Sequence, residues 1–146
     1  MILGKTHLRA EQTHSPHRCQ SEELLLMTPQ SQPIQFTLQP SSFELFAFAP
    51  ITTIGDVGAR FAQIGLANML NCGGTIVDVE CRDGNGSEVN MKVEGAGRLL
   101  VFSSVRPQRC LVDGFEDAFE WENGGKLMVD VSWKQDKNDL APANDP

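Results

Sequence analysis

The middle of the chain, from residue 34 onward, consists of short apolar runs separated by turn residues. Over 88–94 apolar and polar residues alternate strictly. The apolar positions are Val89, Met91 and Val93, and the polar positions are Glu88, Asn90, Lys92 and Glu94. Because successive side chains of a strand point to opposite faces, this pattern predicts a half-buried antiparallel strand. Similar alternation predicts two further strands, over 115–122 and 127–133.

Turn residues stand where these alternations break. The stretches 113–114 (Asp-Gly), 123–125 (Asn-Gly-Gly) and 95–97 (Gly-Ala-Gly) tolerate the positive φ of tight turns between strands. Apolar runs over 34–38 and 43–49 predict earlier strands, the second of them ended by a proline.

The spacing of these signals predicts an all-β fold, an antiparallel β-sandwich over residues 34–133, since sandwiches show turn signals every 8 to 12 residues or so. Only 64–70 has a pattern compatible with a helical turn. Residues 1–33 show no sustained period and are predicted to be an unstructured leader, and 134–146 a disordered polar tail. His7, His14 and His17 fall in this leader, where we expect them to be solvated rather than to bind a metal.

Composition narrows the function classes. The 146 residues include 12 basic and 19 acidic ones, giving a formal net charge of -7, which argues against a nucleic-acid partner. No run approaches the roughly 18 apolar residues of a membrane span, so no membrane partner is expected. A complete (β/α)₈ enzyme is excluded, because that fold needs about 250 residues.

The cysteines do not indicate a metal or redox site. Cys19, Cys72, Cys81 and Cys110 are widely separated and form no C-x-x-C pair, so we predict free, mostly buried thiols. No cofactor is predicted. The sequence shows no secretory signal, so a cytoplasmic location is expected, with the plastid as the lesser alternative.

Several stretches imitate sites without meeting their requirements. Residues 83–94 place oxygen side chains at calcium-loop spacing, but Glu88 stands where that loop needs glycine, and both flanks alternate as strands. Gly95-Ala96-Gly97 is not followed by the remainder of a phosphate-binding motif. The acidic pairs Glu116 with Asp117 and Glu120 with Glu122 lie along one predicted strand or its turn, where charges are ordinarily solvated.

Three ordered segments resemble a known family. Residues 61–76 read FAQIGLANMLNCGGTI and closely resemble the FAPIGLxNMxNSGG(T/A)I segment of plant raffinose synthases and seed imbibition proteins. Residues 43–51 are similar to that family's (Y/F)E(L/V)F…(S/A)PI segment, and residues 93–110 to its VKGxGxxxxYSSxxPxxC segment. The likeness extends over about 34–133. It departs from the family at Gln63 in place of proline, at Cys72 in place of serine, and at both ends of the chain.

The resemblance implies a part of a larger protein. The family's members are large enzymes that transfer galactose from galactinol to sucrose or hydrolyse α-galactosides, with two catalytic aspartates on a central barrel. The matching region is their C-terminal β domain, and none of the catalytic motifs has a counterpart here. We therefore assign no catalytic, cofactor-binding or metal-binding residue and expect the chain alone to be inactive. Whether the parent is a transferase or a hydrolase stays open.

In such a parent the domain would pack against the catalytic barrel. Segment 64–74, which begins at Ile64 and ends at Gly74, is the candidate contact, because its apolar residues and close glycines suit tight packing. The same residues could equally fill the domain's own core. The alternative function is an independent, non-catalytic carbohydrate-binding or protein-interaction module. Exposed aromatic residues would favour sugar binding, but the chain has no Tyr, and Trp121 and Trp133 lie on predicted core faces.

Overall fold

A computed structural model of the chain describes residues 14–18, 23–56, 58–67, 69–82 and 87–132. These residues form strands and a single 3₁₀ turn (Gly73–Thr75), and every strand pair among them is antiparallel, so the all-β antiparallel prediction is confirmed. The strands are β1 (His14–Arg18), β2 (Glu23–Leu24), β3 (Phe46–Pro50), β4 (Thr52–Ile54), β5 (Ala59–Leu66), β6 (Ile76–Arg82), β7 (Glu88–Val93), β8 (Gly97–Ser103), β9 (Cys110–Val112), β10 (Phe115–Asp117), β11 (Phe119–Trp121) and β12 (Lys126–Val131).

A five-stranded sheet, in the order β11-β12-β8-β5-β4, forms the centre of the domain. One of its faces packs against β2 and β3, which belong to the three-stranded sheet β2-β1-β3. Its other face packs against the β6–β7 hairpin and β9. The sandwich therefore has three layers in which a central sheet is buried on both faces.

Two separate hydrophobic cores follow from this arrangement. The first core contains Ala49, Ala62, Ile64, Leu100, Phe102 and Met128. The second core contains Phe61, Leu66, Leu99, Val101, Leu127 and Val129. Strand β8 contributes alternate side chains to both cores, which explains its uninterrupted apolar run over 99–102, since strands buried on both faces lose the polar alternation. For the same reason the predicted half-burial of 127–133 is wrong at Met128, which is buried in the first core.

The hairpin β6–β7 matches its prediction. The apolar residues of β7 face the second core and its polar residues face outward, because only one face of the hairpin is covered. The predicted turn at 113–114 is also confirmed. Asp113 and Gly114 have φ of 49° and 82°, and they join β9 to β10 as the two positive-φ residues of a tight hairpin.

Three predicted elements are wrong. The single strand over 115–122 is two short strands in different sheets: β10 pairs with β9 and β11 pairs with β12. They separate at Ala118, whose N–H binds the Asp117 carboxylate instead of a strand partner. Residues 34–38 form no strand, and the described residues of 64–70, namely 64–67 and 69–70, contain no helix, because β5 continues through Leu66.

The predicted unstructured leader over 1–33 is wrong for two of its segments. Strand β1 pairs with β2 and, along its whole length, with β3. Its sequence, HSPHR, has no apolar alternation, so the strand could be recognised only from the backbone hydrogen bonds that β3 offers. Residues 1–13 and the predicted tail over 134–146 lie outside the described residues. Nothing in the described part of the chain forms a helix long and apolar enough to span a membrane.

Candidate functional site

The signature segment, residues 61–76, runs from the central sheet to the start of β6. Its first part lies inside the domain. Ile64 is buried in the first core, and Leu66, with 0% of its surface exposed, is buried in the second. The predicted contact segment 64–74 therefore begins with residues that fill the domain's own cores.

A β-bulge sets this arrangement. The pairing of β5 with β8 shifts between Gln63 and Gly65, so that Ile64 is an extra residue without a partner of its own in the ladder. Gly65 has a φ of 118°, and a β carbon at this position would overlap the carbonyl oxygen of Cys72. Only glycine satisfies both conditions, since L side chains rarely adopt this conformation.

Thr75 joins the turn that follows β5 back to this strand. Its buried hydroxyl accepts a hydrogen bond from the Leu66 N–H at 3.1 Å and donates one to the Cys72 carbonyl at 2.6 Å. The Ala67 N–H donates to the Arg98 carbonyl at 2.8 Å, and the Thr75 carbonyl accepts from the Glu94 N–H at 2.7 Å. The turn is thus hydrogen-bonded at both ends to the rest of the domain.

The fastened turn presents apolar side chains to solvent. Leu70 is 85% exposed, and its neighbour Met69 is also exposed. The turn leads into an open groove of about 260 Å³ beside the central sheet. The groove is lined by Gln63, Gly73, Ile76, Val77, Asp78 and Val79. We call Met69, Leu70, Val77 and this groove the turn surface; sequence reasoning included part of it in segment 64–74 but missed Val77, which lies in β6.

A second exposed apolar region is aromatic. The ring centroids of Phe36 and Phe46 are 5.2 Å apart, and those of Phe46 and Phe48 are 6.4 Å apart. Phe36 and Phe48 are exposed, and we call these three residues the aromatic surface. Sequence reasoning missed it, although the order Phe-Ala-Phe-Ala in β3 carries a signal: the small alanines face the first core, and the large rings face away from it. Trp121, by contrast, packs on the second core as predicted, and its Nε1 donates to the Ser103 carbonyl.

The acidic candidates do not assemble a reactive pair. Glu116, Asp117, Glu120 and Glu122 are all exposed, in agreement with the solvated interpretation. Glu122 lies 3.9 Å from the Lys126 ammonium. Within the described residues no three His, Cys, Asp or Glu side chains gather in a geometry that could hold a metal ion.

The cysteines that the structure describes are free thiols, as predicted. The prediction that most are buried holds for Cys72, whereas Cys81 is exposed and Cys110 is half-buried. Burial, and then the nearby negative charge of Asp117, raise the pKa of the Cys110 thiol above its usual value. Cys110 is therefore a weaker nucleophile than an ordinary surface thiol, since the thiolate is the reactive form. Cys19 lies outside the described residues.

The glycine-rich and calcium-like motifs lie in turns and strands of the fold. Residues 94–96 form the turn between β7 and β8, and Gly97 is the first residue of β8. The calcium-like stretch follows β6 and contains β7, where a calcium loop would lie between helices. Its residues 83–86 lie outside the described part, as do His7 and Trp133. His14 and His17 lie in β1.

Comparison with known proteins shows the family. The family model for raffinose synthase or seed imbibition protein Sip1 matches residues 9–131. The chain belongs to this family. The match begins inside the predicted leader, which corrects the expectation that residues 1–33 lack a counterpart in the raffinose synthase family.

Curated relatives in the raffinose synthase family are plant proteins. Stachyose synthase of Pisum sativum is 47% identical over 128 residues, which are 88% of this chain and 14% of that protein. A probable galactinol–sucrose galactosyltransferase 4 of Arabidopsis thaliana is 38% identical over 126 residues, covering 86% of this chain and 14% of the relative. The galactinol–sucrose galactosyltransferase of Oryza sativa subsp. japonica is 38% identical over 112 residues, which are 75% of this chain and 14% of that protein. The chain thus spans about 14% of the length of these relatives.

Proposed function

We propose that this chain acts as a non-catalytic β domain that completes a larger galactosyltransferase of the raffinose synthase family. The observation that carries the proposal is the coverage: most of this chain matches 14% of proteins named as a stachyose synthase and galactinol–sucrose galactosyltransferases. Catalysis then belongs to the remaining length of such proteins. The chain's own contribution is a rigid three-layered domain against which that remainder packs, with segment 64–74 as the contact.

The arrangement of the signature segment supports a structural role. Its residues fill two cores, form a bulge and close a turn through Thr75, and these are tasks of folding and positioning. The acidic side chains stand exposed along short strands or turns. A glycosidase pair would instead need two carboxyl groups facing each other across a concave site, about 5 to 10 Å apart.

A chimera tests this proposal. The matched 14% of the Oryza galactinol–sucrose galactosyltransferase is replaced by the matching residues of this chain, and transfer of galactose from galactinol to sucrose is measured. We expect the chimera to fold and retain transfer, and the full chain alone to give no turnover above buffer. An inactive or insoluble chimera contradicts the proposal. So does turnover by the chain alone that is lost when one of its residues is mutated.

The aromatic surface favours a second candidate, an independent carbohydrate-binding module. Exposed rings offer flat apolar faces on which sugar rings can stack. Calorimetric titration of the full chain with raffinose tests it. Saturable binding that disappears in Phe36→Ala and Phe48→Ala, but persists in Phe115→Ala, another exposed phenylalanine, would support this module over the completing domain.

A further inference from the structure

We infer that the remainder of a family-length protein packs on the turn surface of this domain, and that the apolar side chain of Leu70 inserts into that remainder. This inference rests on the proposed function and narrows the predicted contact from segment 64–74 to its exposed end plus Val77 of β6. The contact is then between an apolar projection and groove on this domain and an apolar socket on its occupant.

Leu70 combines high exposure with a place in a hydrogen-bonded turn. A single exposed leucine is ordinary on a protein surface. Leu70, however, lies in a turn that the Thr75 hydroxyl joins to the Leu66 N–H of β5. Val77, 51% exposed, is the bulged residue of β6, between the paired Ile76 and Asp78. A side chain on a backbone that is already ordered by hydrogen bonds loses little conformational freedom on binding.

The length of the relatives points to the occupant of the turn surface. The relatives that match this chain are about seven times longer than the matched part. In a protein of that length, a much larger part of the chain lies beside this domain and can pack on its surface. Interfaces between domains of one chain bury about 600 to 1,500 Å² and are more polar than obligate interfaces. An apolar tip beside a groove that carries the Gln63 amide and the Asp78 carboxylate has this mixed character.

Charge argues against a second copy of this chain at the same place. Asp78 is exposed on β6, whereas Glu80 is paired with Arg82 at 3.3 Å. Because the chain has a net charge of -7, two copies meeting face to face would bring their Asp78 carboxylates and two negatively charged chains together. An occupant with a donor group opposite Asp78 avoids this repulsion. The Asp78 carboxylate is already oriented, because its Oδ1 accepts the Val79 N–H at 3.0 Å.

The test uses the chimera described above and the full chain in parallel. Leu70→Ser combined with Val77→Ser removes the apolar part of the turn surface. The matched control is Val105→Ser combined with Leu111→Ser, which changes two apolar residues of 52% and 50% exposure elsewhere on the domain. We expect the full chain to keep its melting temperature with either pair. In the chimera, the turn-surface pair should lower galactosyl transfer at least tenfold and speed proteolysis between the two parts, whereas the control pair should change neither.

The outcomes separate the two proposals. If the unaltered chimera is inactive, the proposed function fails. If it is active and the turn-surface pair behaves like the control pair, only the docking inference is overturned. A lower melting temperature of the isolated chain with the turn-surface pair would also overturn it, since these side chains would then stabilise the domain itself. A dimer of the full chain that dissociates when Leu70 is replaced would show a second copy to be the occupant.

Discussion

Leu66 and Leu70 lie four positions apart in the signature segment, and their surroundings are opposite. Leu66 is fully enclosed in the second core, whereas Leu70 projects from the turn into solvent. Thr75, at the far end of the turn that carries Leu70, accepts a hydrogen bond from the Leu66 N–H, so the exposed half is joined to the buried half. One continuous motif thus contains a folding part and a presented part, and substitutions in the two parts should have different consequences.

The largest effect is expected at the glycine of the bulge. Gly65→Ala adds a β carbon that overlaps the Cys72 carbonyl and is disfavoured by the positive φ, so we expect a loss of about 3 to 5 kcal/mol in the free energy of unfolding. Urea denaturation measures it. Gly114→Ala is the matched control: its φ is also positive, but a β carbon there meets no atom within 4 Å, so about 1 to 2 kcal/mol is expected. Equal losses in the two variants would contradict the role assigned to Cys72.

Truncating the two leucines tests the comparison directly. Leu66→Ala leaves a cavity in the second core and should cost about 2 to 5 kcal/mol of unfolding free energy. Leu70→Ala should change it by less than about 0.5 kcal/mol, because the side chain contributes little to the folded domain. Both variants are measured by the same urea denaturation of the full chain. A large loss for Leu70→Ala would mean that the turn packs on its own domain.

This pair also shows where sequence reasoning ends. The strict alternation of 88–94 predicted β7 correctly, because that strand has one covered face and one solvated face. The pattern at 99–102 and 127–129 reflects burial on two faces, which depends on a third layer that the local sequence does not reveal. Strand β1 has no pattern of its own, and its pairing with β3 was missed.

The candidate site was predictable in part. Apolar residues and glycines marked segment 64–74, but Leu66 and Leu70 look alike in the sequence. The bulge at Ile64 and the hydrogen bonds of Thr75 separate them, and both are tertiary features. Val77 joins the turn surface only because β6 passes the groove.

Removing the Thr75 hydrogen bonds between the buried and exposed halves of the signature segment should have an intermediate effect on the free energy of unfolding. Thr75→Val removes the hydroxyl and leaves the Leu66 N–H and the Cys72 carbonyl without this partner, so we expect a loss of about 1 to 3 kcal/mol. Faster hydrogen exchange at the Leu66 amide should accompany it. Thr53→Val, at an exposed position of β4, should leave both quantities nearly unchanged. An unchanged exchange rate in Thr75→Val would show that the turn is fastened by other bonds.

The smallest effect is expected at the rim of the central sheet. Arg98 Nε and Asp130 Oδ1 lie 3.4 Å apart on paired strands, but both side chains are exposed, Arg98 to 43% and Asp130 to 80%. Asp130→Asn should therefore change the free energy of unfolding by less than about 0.5 kcal/mol. A double-mutant cycle with Arg98→Met measures the coupling. A coupling energy above about 1 kcal/mol would show that this pair stabilises the domain as a buried interaction does, rather than as a solvated surface pair.

The bulge in β5 has a consequence for how insertions and deletions act on this chain. Without Ile64 the strand would pair with β8 in perfect register, with Gly65 opposite Leu100 and Leu66 opposite Leu99. That regular ladder would be worse for the domain, because the position opposite Leu100 would then hold a glycine and no side chain would reach the first core there. Because of the extra residue, one position of the ladder provides both an isoleucine side chain that fills the first core and a glycine whose backbone the Cys72 carbonyl can approach closely. In this strand, removing an apparent irregularity would damage the fold.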